Sequence, residues 1–398
     1  MSTAAMLFIP GASVAVVVLA ARLRGRGFAL FIGVLLTLHG LGVAGLWSTW
    51  EAMGLMPLAA ALQVTVYVHV LSLMMPALRP LPWRALVSWP SQWFVASSFM
   101  ALPWALSAVV FGVAPLWWLP YVAGLFGLGQ SLYTRRDEVD LVLDGTDVPG
   151  LSRRAHGEGR VARPLRVVQI SDPHLGPFMS VSRLQAIARR AVEDDPDLVL
   201  LTGDYLTMES KGSPGCLAEA LAPLRGLGEQ GRVYACFGNH DLEAPHMVAR
   251  ELAACGIRLL VDDAALVDTP AGPVQVVGAN FRWRDRSEHL AALTEAHPRI
   301  DGALRILLLH DPGAFAHLPE GGADLVLSGH THGGHVGLLS LGSRWTFIGG
   351  LSRMPDHGFW SRGTERLYVH RATGHYGFPI RVGVPSEEGL MRIHALGR

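Results

Sequence analysis

The chain has 398 residues, 33 basic and 33 acidic side chains, and 50% hydrophobic residues, with only 17% charged. A soluble domain usually carries roughly 25% charge, so the composition excludes a disordered chain and argues against one uniformly soluble protein. Residues 135–398 hold 28 basic and 32 acidic side chains, which leaves no electrostatic footprint for nucleic acid. The three cysteines (Cys216, Cys236, Cys255) are too few and too scattered for a disulfide scaffold.

Residues 1–134 contain only six charged side chains: Arg22, Arg24, Arg26, Glu51, Arg79 and Arg84. Apolar runs at about 5–21, 28–47, 55–78, 93–111 and 115–133 approach the roughly 20 residues that a bilayer core demands. The last two runs form one stretch broken by Gly112 and Pro115, either two short spans or one span plus an interfacial segment. Five spans, unlike four, place Arg22, Arg24 and Arg26 on one side with Arg79, Arg84, Arg135 and Arg136, and leave the opposite loops without Lys or Arg. That distribution predicts a multi-pass protein of the cytoplasmic (inner) membrane, its C-terminal part facing the cytoplasm. Eight of the eleven tryptophans lie in this half, most of them near proposed span ends, as in an interfacial belt. The arginines follow the first apolar run, against the order of a cleavable signal peptide. His39, His69 and Gln63 fall inside spans and are read as interhelical hydrogen-bonding groups. No charge lies mid-span, which disfavours an ion-coupled transporter.

Residues 135–164 read as a linker into a domain at 165–398. There, short apolar runs are each followed at once by polar residues: LRVVQI then SDPH, DLVLLT then GD, VYACF then GNHD, RILLL then HDP, and DLVLS then GHTH. Such runs read as strands buried on both faces, and helical segments near 180–194 and 245–255 make the alternation an α/β one. Ligand-binding residues in such sheets gather at the carboxyl ends of strands. Here those ends supply Asp172, His174, Asp204, Asn239, His240, His310, His330 and His332. Carboxylates, imidazoles and an amide oxygen suit first-row divalent metals. Eight such groups are too many for one ion and suit two, the arrangement that supports in-line displacement at phosphorus. Gly203, Gly238 and Gly329 precede these residues where a Cβ would crowd the turn.

The five motifs, in that order, closely resemble the calcineurin-like metallophosphoesterase superfamily. The tail YVHRATGHYGFPIRVG and the apolar N-terminus narrow the likeness to its membrane-associated bacterial branch, related to UDP-diacylglucosamine pyrophosphatases. The resemblance implies a β-sandwich of two mixed sheets flanked by helices, behind an N-terminal helical transmembrane bundle. It implies two divalent ions (Mn, Fe or Zn). Asp172, His174, Asp204 and His332 would hold the first, and Asp204, Asn239, His310 and His330 the second. A bridging hydroxide would attack phosphorus, and His240, its ring oriented by Asp241, would protonate the leaving oxygen. GDYLTMES lacks the GDxxDRG continuation of protein phosphatases and GNHD replaces their GNHE, so the likeness points away from phosphoprotein substrates. His335 stands where relatives carry Gln, and Gly278-Ala279-Asn280 lacks an acidic pair. Arg282, Trp283, Arg284 and Arg286 could meet an anionic head group or the membrane surface, with a solvated arginine cluster the equal alternative. The remaining histidines, His375 among them, show no ligand spacing.

The reading that follows is a membrane-bound phosphodiesterase or pyrophosphatase whose partners are a lipid-linked or amphiphilic phosphate substrate and the membrane lipids. The rivals are a nucleotide or general phosphodiesterase tethered to the membrane, and a non-catalytic metal-binding regulatory module. The sequence leaves the oligomeric state open.

Overall fold

The computed structural model describes residues 3–157, 159–352 and 354–396, with side chains from residue 10 onward. Two compact units divide the chain. One comprises residues 1–130 with 208–213 and 376–382; the other comprises residues 131–207, 214–375 and 383–398.

The first unit is helical: Thr3–Arg24, Arg26–Ala52, Met56–Ser72, a run from Leu81 to Met100, Leu102–Phe111 and Leu119–Ser131, whose last residue belongs to the second unit. Arg26–Ala52, with 27 residues, is the one unbroken helix among the described residues that is long and apolar enough to cross a bilayer. The five spans expected from the sequence are therefore not all of spanning length. The run expected at 93–111 breaks at Ala101 and bends by 53°. Pro103, in the first turn of the next helix, has no N–H to donate and disfavours helical geometry before it. The last helix starts at Leu119 with Pro120 in its first turn and reaches only 13 residues, about 20 Å of rise. Within this unit His39 Nε2 and Gln63 Oε1 lie 2.9 Å apart and His69 Nε2 and Gln92 Nε2 3.2 Å apart, the interhelical pairing read from the sequence. The segment 208–213 is held there as well: the Leu78 N–H donates to Ser213 Oγ at 2.9 Å, and a Cβ on Gly212 would lie 1.9 Å from the Pro76 carbonyl.

The second unit is built on β1 (Thr134–Leu143), β2 (Val148–Arg153), β3 (Leu165–Ile170), β4 (Leu198–Leu201), β5 (Val233–Ala235), β6 (Arg258–Leu259), β7 (Asp263–Thr269), β8 (Gly272–Gly278), β9 (Leu304–Leu308), β10 (Leu325–Ser328), β11 (Gly358–Gly363), β12 (Glu365–Val369) and β13 (Ser386–Ala395). They form two mixed sheets, ordered β1-β13-β3-β4-β5-β6 and β2-β11-β12-β10-β9-β8-β7. A run of parallel strands, β3-β4-β5-β6, reaches one edge of the first sheet, and another, β12-β10-β9-β8, fills the middle of the second. The sheets share one apolar core in which Val167, Leu198, Leu200, Val276, Ile306, Leu308, Leu325 and Leu327 are buried. Helices Val181–Glu193 and Arg286–Ala296 place Leu184, Ile187 and Ala188, and Leu290 and Leu293, in the interior.

The stretch 135–164, expected as a linker, holds most of β1 and all of β2, which form one edge of each sheet. Its charges hid them. An edge strand keeps polar side chains on its open side, and those of β1 are engaged: Arg392 bridges to Glu138 at 2.6 Å and to Asp140 at 3.3 Å.

Candidate metal centre

Every central strand named from the sequence ends where a polar side chain is needed. Asp172 and His174 follow β3, Asp204 follows β4, Asn239 and His240 follow β5, His310 follows β9, and His330 and His332 follow β10. The two sheets bring these ends to one rim. Asp172, His174 and His332 form one group whose donor atoms lie within 4.8 Å of one another, and Asp204, His310 and His330 form a second. The groups adjoin: Asp204 Oδ2 lies 3.6 Å from His174 Nε2 and 3.3 Å from His310 Nε2, so one carboxylate reaches both.

Close spacing has a backbone cause. Asp172, His174, Asp204, His330 and His332 all have φ between +46° and +68°, a left-handed conformation that is rare outside glycine. Each such residue costs on the order of 1–3 kcal/mol and persists because its surroundings hold it. The left-handed turn throws each side chain off its strand end into the common space. The glycines permit this. A Cβ on Gly238 would meet Asp204 Oδ1 at 2.1 Å, and one on Gly329 would meet Asp172 Oδ2 at 2.0 Å.

Hydrogen bonds fix the donors. His310 Nδ1 lies 2.6 Å from the Thr202 carbonyl, which leaves Nε2 on the side of Asp204. The His330 N–H donates to Asp172 at 3.0 Å, and the His240 N–H donates to Asp204 Oδ1 at 2.8 Å. Gln169 donates to Thr202 Oγ1 at 2.9 Å and to the Ser328 carbonyl at 3.0 Å, which ties the ends of β3, β4 and β10 together.

The electrostatics are those of a site made for cations. Burial lowers His174 to about 4. His310 meets the same burial, but the Asp204 and Asp172 carboxylates outweigh it and push its imidazole up to about 10. Does the donor set fit divalent ions? Ligand atoms about 2.0–2.2 Å from a tetrahedral ion stand roughly 3.3–3.6 Å from each other. His332 Nε2 is 3.2 Å from His174 Nε2 and 3.4 Å from Asp172 Oδ1. Asn239 Oδ1 is buried on the β5 end loop without a hydrogen-bond partner among the described residues, as an amide oxygen awaiting a cation would be. The residues fit the ions.

One role is corrected. Asp241 does not orient the His240 ring: its carboxylate accepts the backbone N–H groups of Asp204 (2.7 Å), Gly238 (2.8 Å) and Tyr205 (2.9 Å). Asp241 thus shapes the turn that carries Asp204. The group beside His240 Nδ1 is Glu243 Oε1, at 2.9 Å. The His240 ring stands edge-on to His174, 5.6 Å between centroids, and its side chain is 29% exposed.

At the rim, Arg282 and Arg284 are exposed, whereas Arg286 is taken by Asp311 at 2.5 Å. His335 stacks on His332 at 4.7 Å. Of three further neighbours of the site, Phe281 and His375 escaped the sequence reading. Phe281 lies 6.0 Å from His310, Trp283 lies 6.1 Å from His330, and His375, set aside as ordinary, lies 5.4 Å from His335. The tail that carries His375 packs on the first motif. The Thr373 N–H donates to the Ser171 carbonyl at 2.7 Å, and a Cβ on Gly374 would lie 1.9 Å from the Pro173 carbonyl.

Two mixed sheets with adjoining Asp–His groups at one strand-end rim define a metal-dependent hydrolase of phosphate esters. Residues 165–334 match the calcineurin-like phosphoesterase family model. The chain is 28% identical to the phosphodiesterase YaeI of Escherichia coli, over 52% of this chain and 77% of that one. It is 30% identical to the metallophosphoesterase YkoQ of Bacillus subtilis, over 56% and 80%. To the UDP-2,3-diacylglucosamine pyrophosphatase LpxG of Chlamydia trachomatis it is 26% identical, over 57% and 83%. The chain belongs to the calcineurin-like metallophosphoesterases, enzymes that use a dinuclear divalent metal site.

Proposed function

We propose that the chain is a membrane-bound phosphoesterase that hydrolyses a phosphodiester or pyrophosphate bond in a lipid-linked or amphiphilic substrate, with its catalytic domain on the cytoplasmic side. The observation that carries the reading is the pair of donor groups meeting at Asp204. Asp172, His174, Asp204 and His332 would hold one ion, and Asp204, Asn239, His310 and His330 the other. When bound, two such ions supply Lewis acidity toward the phosphoryl oxygens and acidify the attacking water.

The chain's own residues do the rest. His240, its Nδ1 beside Glu243 Oε1, would in its protonated form give the Nε2 proton to the departing oxygen. Asp241 holds the Asp204 turn in place. Phe281 and Trp283 present apolar faces beside the second donor group, while Arg282 and Arg284 offer charge to an anionic head group. His335, stacked on His332, adds an imidazole beside the first donor group. Support for an amphiphilic substrate comes from the charge-poor first third of the sequence, from the spanning-length helix Arg26–Ala52, and from the likeness to LpxG.

The test is turnover by purified, detergent-solubilised protein with Mn²⁺ on a phosphomonoester, an activated phosphodiester and a lipid-linked pyrophosphate. Preference for the last supports the proposal. Equal or better turnover of a soluble diester replaces it with a tethered general phosphodiesterase.

A further inference from the structure

The second unit holds another cavity, of about 340 Å³, between edge strand β1 and the end of edge strand β2. Five arginines and three carboxylates line it, an excess of positive charge. Most of the arginines are committed. Arg153 bridges to Asp356 at 2.6 Å, Arg154 to Asp144 at 2.8 Å, Arg371 to Glu387 at 2.7 Å and Arg135 to Asp137 at 2.8 Å. Arg344 makes no ion pair among the described residues, and its charge adds to burial in holding His156 below its ordinary value.

Arg344 sits in a segment with a second unusual property. Leu341 is 81% exposed, Leu351 74%, Phe347 52% and Trp345 49%. These side chains are not on a frayed loop. The Leu338 N–H donates to the Trp345 carbonyl at 2.9 Å and the Phe347 N–H to the Val336 carbonyl at 2.8 Å. Thr346 caps the short helix Phe347–Leu351, accepting the Gly349 N–H at 3.0 Å. Large apolar side chains held outward by built structure mark a contact surface. Aromatic and Leu side chains interleaved with arginine suit the headgroup boundary of a bilayer. A protein partner would explain the apolar patch but not the cationic cavity directly behind it.

We propose that the cavity and the segment 338–351 form a docking site for an anionic phospholipid of the bilayer, with the phosphate headgroup received beside Arg344 and the acyl region against Leu341, Trp345, Phe347 and Leu351. The site goes beyond the hydrolytic reading and stands whether or not that reading holds.

The full chain offers a clean test, because Cys216, Cys236 and Cys255 are all buried. An environment-sensitive dye on Leu341→Cys is followed in nanodiscs of pure phosphatidylcholine and in nanodiscs containing phosphatidylglycerol. The dye is expected to shift to the blue and to gain protection from an aqueous quencher only with the anionic lipid. Arg344→Ser is expected to weaken that protection about fivefold, the usual share of one basic side chain at an anionic surface, and Arg344→Lys to restore it. Soluble glycerol phosphate should not reproduce the shift. A dye equally exposed to water in both nanodiscs overturns the proposal, as does protection that survives Arg344→Ser, which would point to a protein or lipid contact without charge recognition.

Discussion

His240 and Asp241 are neighbours in sequence with separate duties. Glu243 lies at hydrogen-bond distance from the His240 ring, whereas Asp241 gathers three backbone N–H groups around the Asp204 turn. Replacing His240 by Ala should therefore lower kcat by about 10²–10⁴ with metal content unchanged, as elemental analysis would read. Glu243→Gln should lower kcat less, again with metal content unchanged. Asp241→Asn should instead reduce metal retention, because the strained Asp204 turn loses its anchor. If Asp241→Asn kept its full metal content and lost kcat while Glu243→Gln did not, the orienting role would return to Asp241. At the donors themselves, residue types and spacing in the sequence single out Asp172, His174, Asp204, His310, His330 and His332, whose donor atoms the fold draws into two groups. What the sequence could not convey is the left-handed backbone of five of them, since φ follows from tertiary packing. For the same reason Phe281 and His375 went unread: they meet the site only through the fold.

Apolar runs of four to six residues announce a strand buried on both faces, so β3, β4, β5, β9 and β10 were legible to within a residue or two. The edge strands were not. β1 alternates charge with apolar residues, and its ion pairs with Arg392 appear only when β13 lies beside it. One edge pairing has a measurable consequence. Arg366 is fully buried on β12 and bridges to Asp144 at 2.7 Å. Partial burial raises an acid, yet the Arg366 and Arg154 guanidiniums and the Thr146 N–H outweigh it and hold Asp144 at about 2. An unfolded aspartate titrates near ~3.9. The folded state therefore binds the proton less tightly, and this stabilisation is present above about pH 4 and is lost as pH falls toward 2. Asp144→Asn should remove it at neutral pH, at a cost on the order of 1–3 kcal/mol for a buried charge left short of a partner. The thermal unfolding midpoint of the variant should then change less than the parent's between pH 4 and 2. Equal midpoints at pH 7 would contradict this.

For the whole molecule, the helical unit does more than mark a location. Met208 follows Asp204 by four residues, and the stretch 208–213 packs with residues 1–130. So does 376–382, directly after the tail residues that hold the Asp172 turn. Deleting residues 1–130 should thus lower turnover even of a small activated diester, read at equal metal content. Undiminished turnover would reduce the helices to a tether. The sequence shows an apolar N-terminal third, and in it Pro103 and Pro120 open two helices that fall short of spanning length.

The most direct measurement counts metal per chain and turnover together in the parent and in Asp204→Asn. The account predicts about two divalent ions per parent chain, since two adjoining donor sets flank Asp204. It predicts that the variant loses at least one ion and turns over about a thousandfold more slowly, at the scale of losing an electrostatic stabiliser of the transition state. Full metal occupancy with parental turnover in Asp204→Asn would contradict a shared carboxylate at the centre of the site.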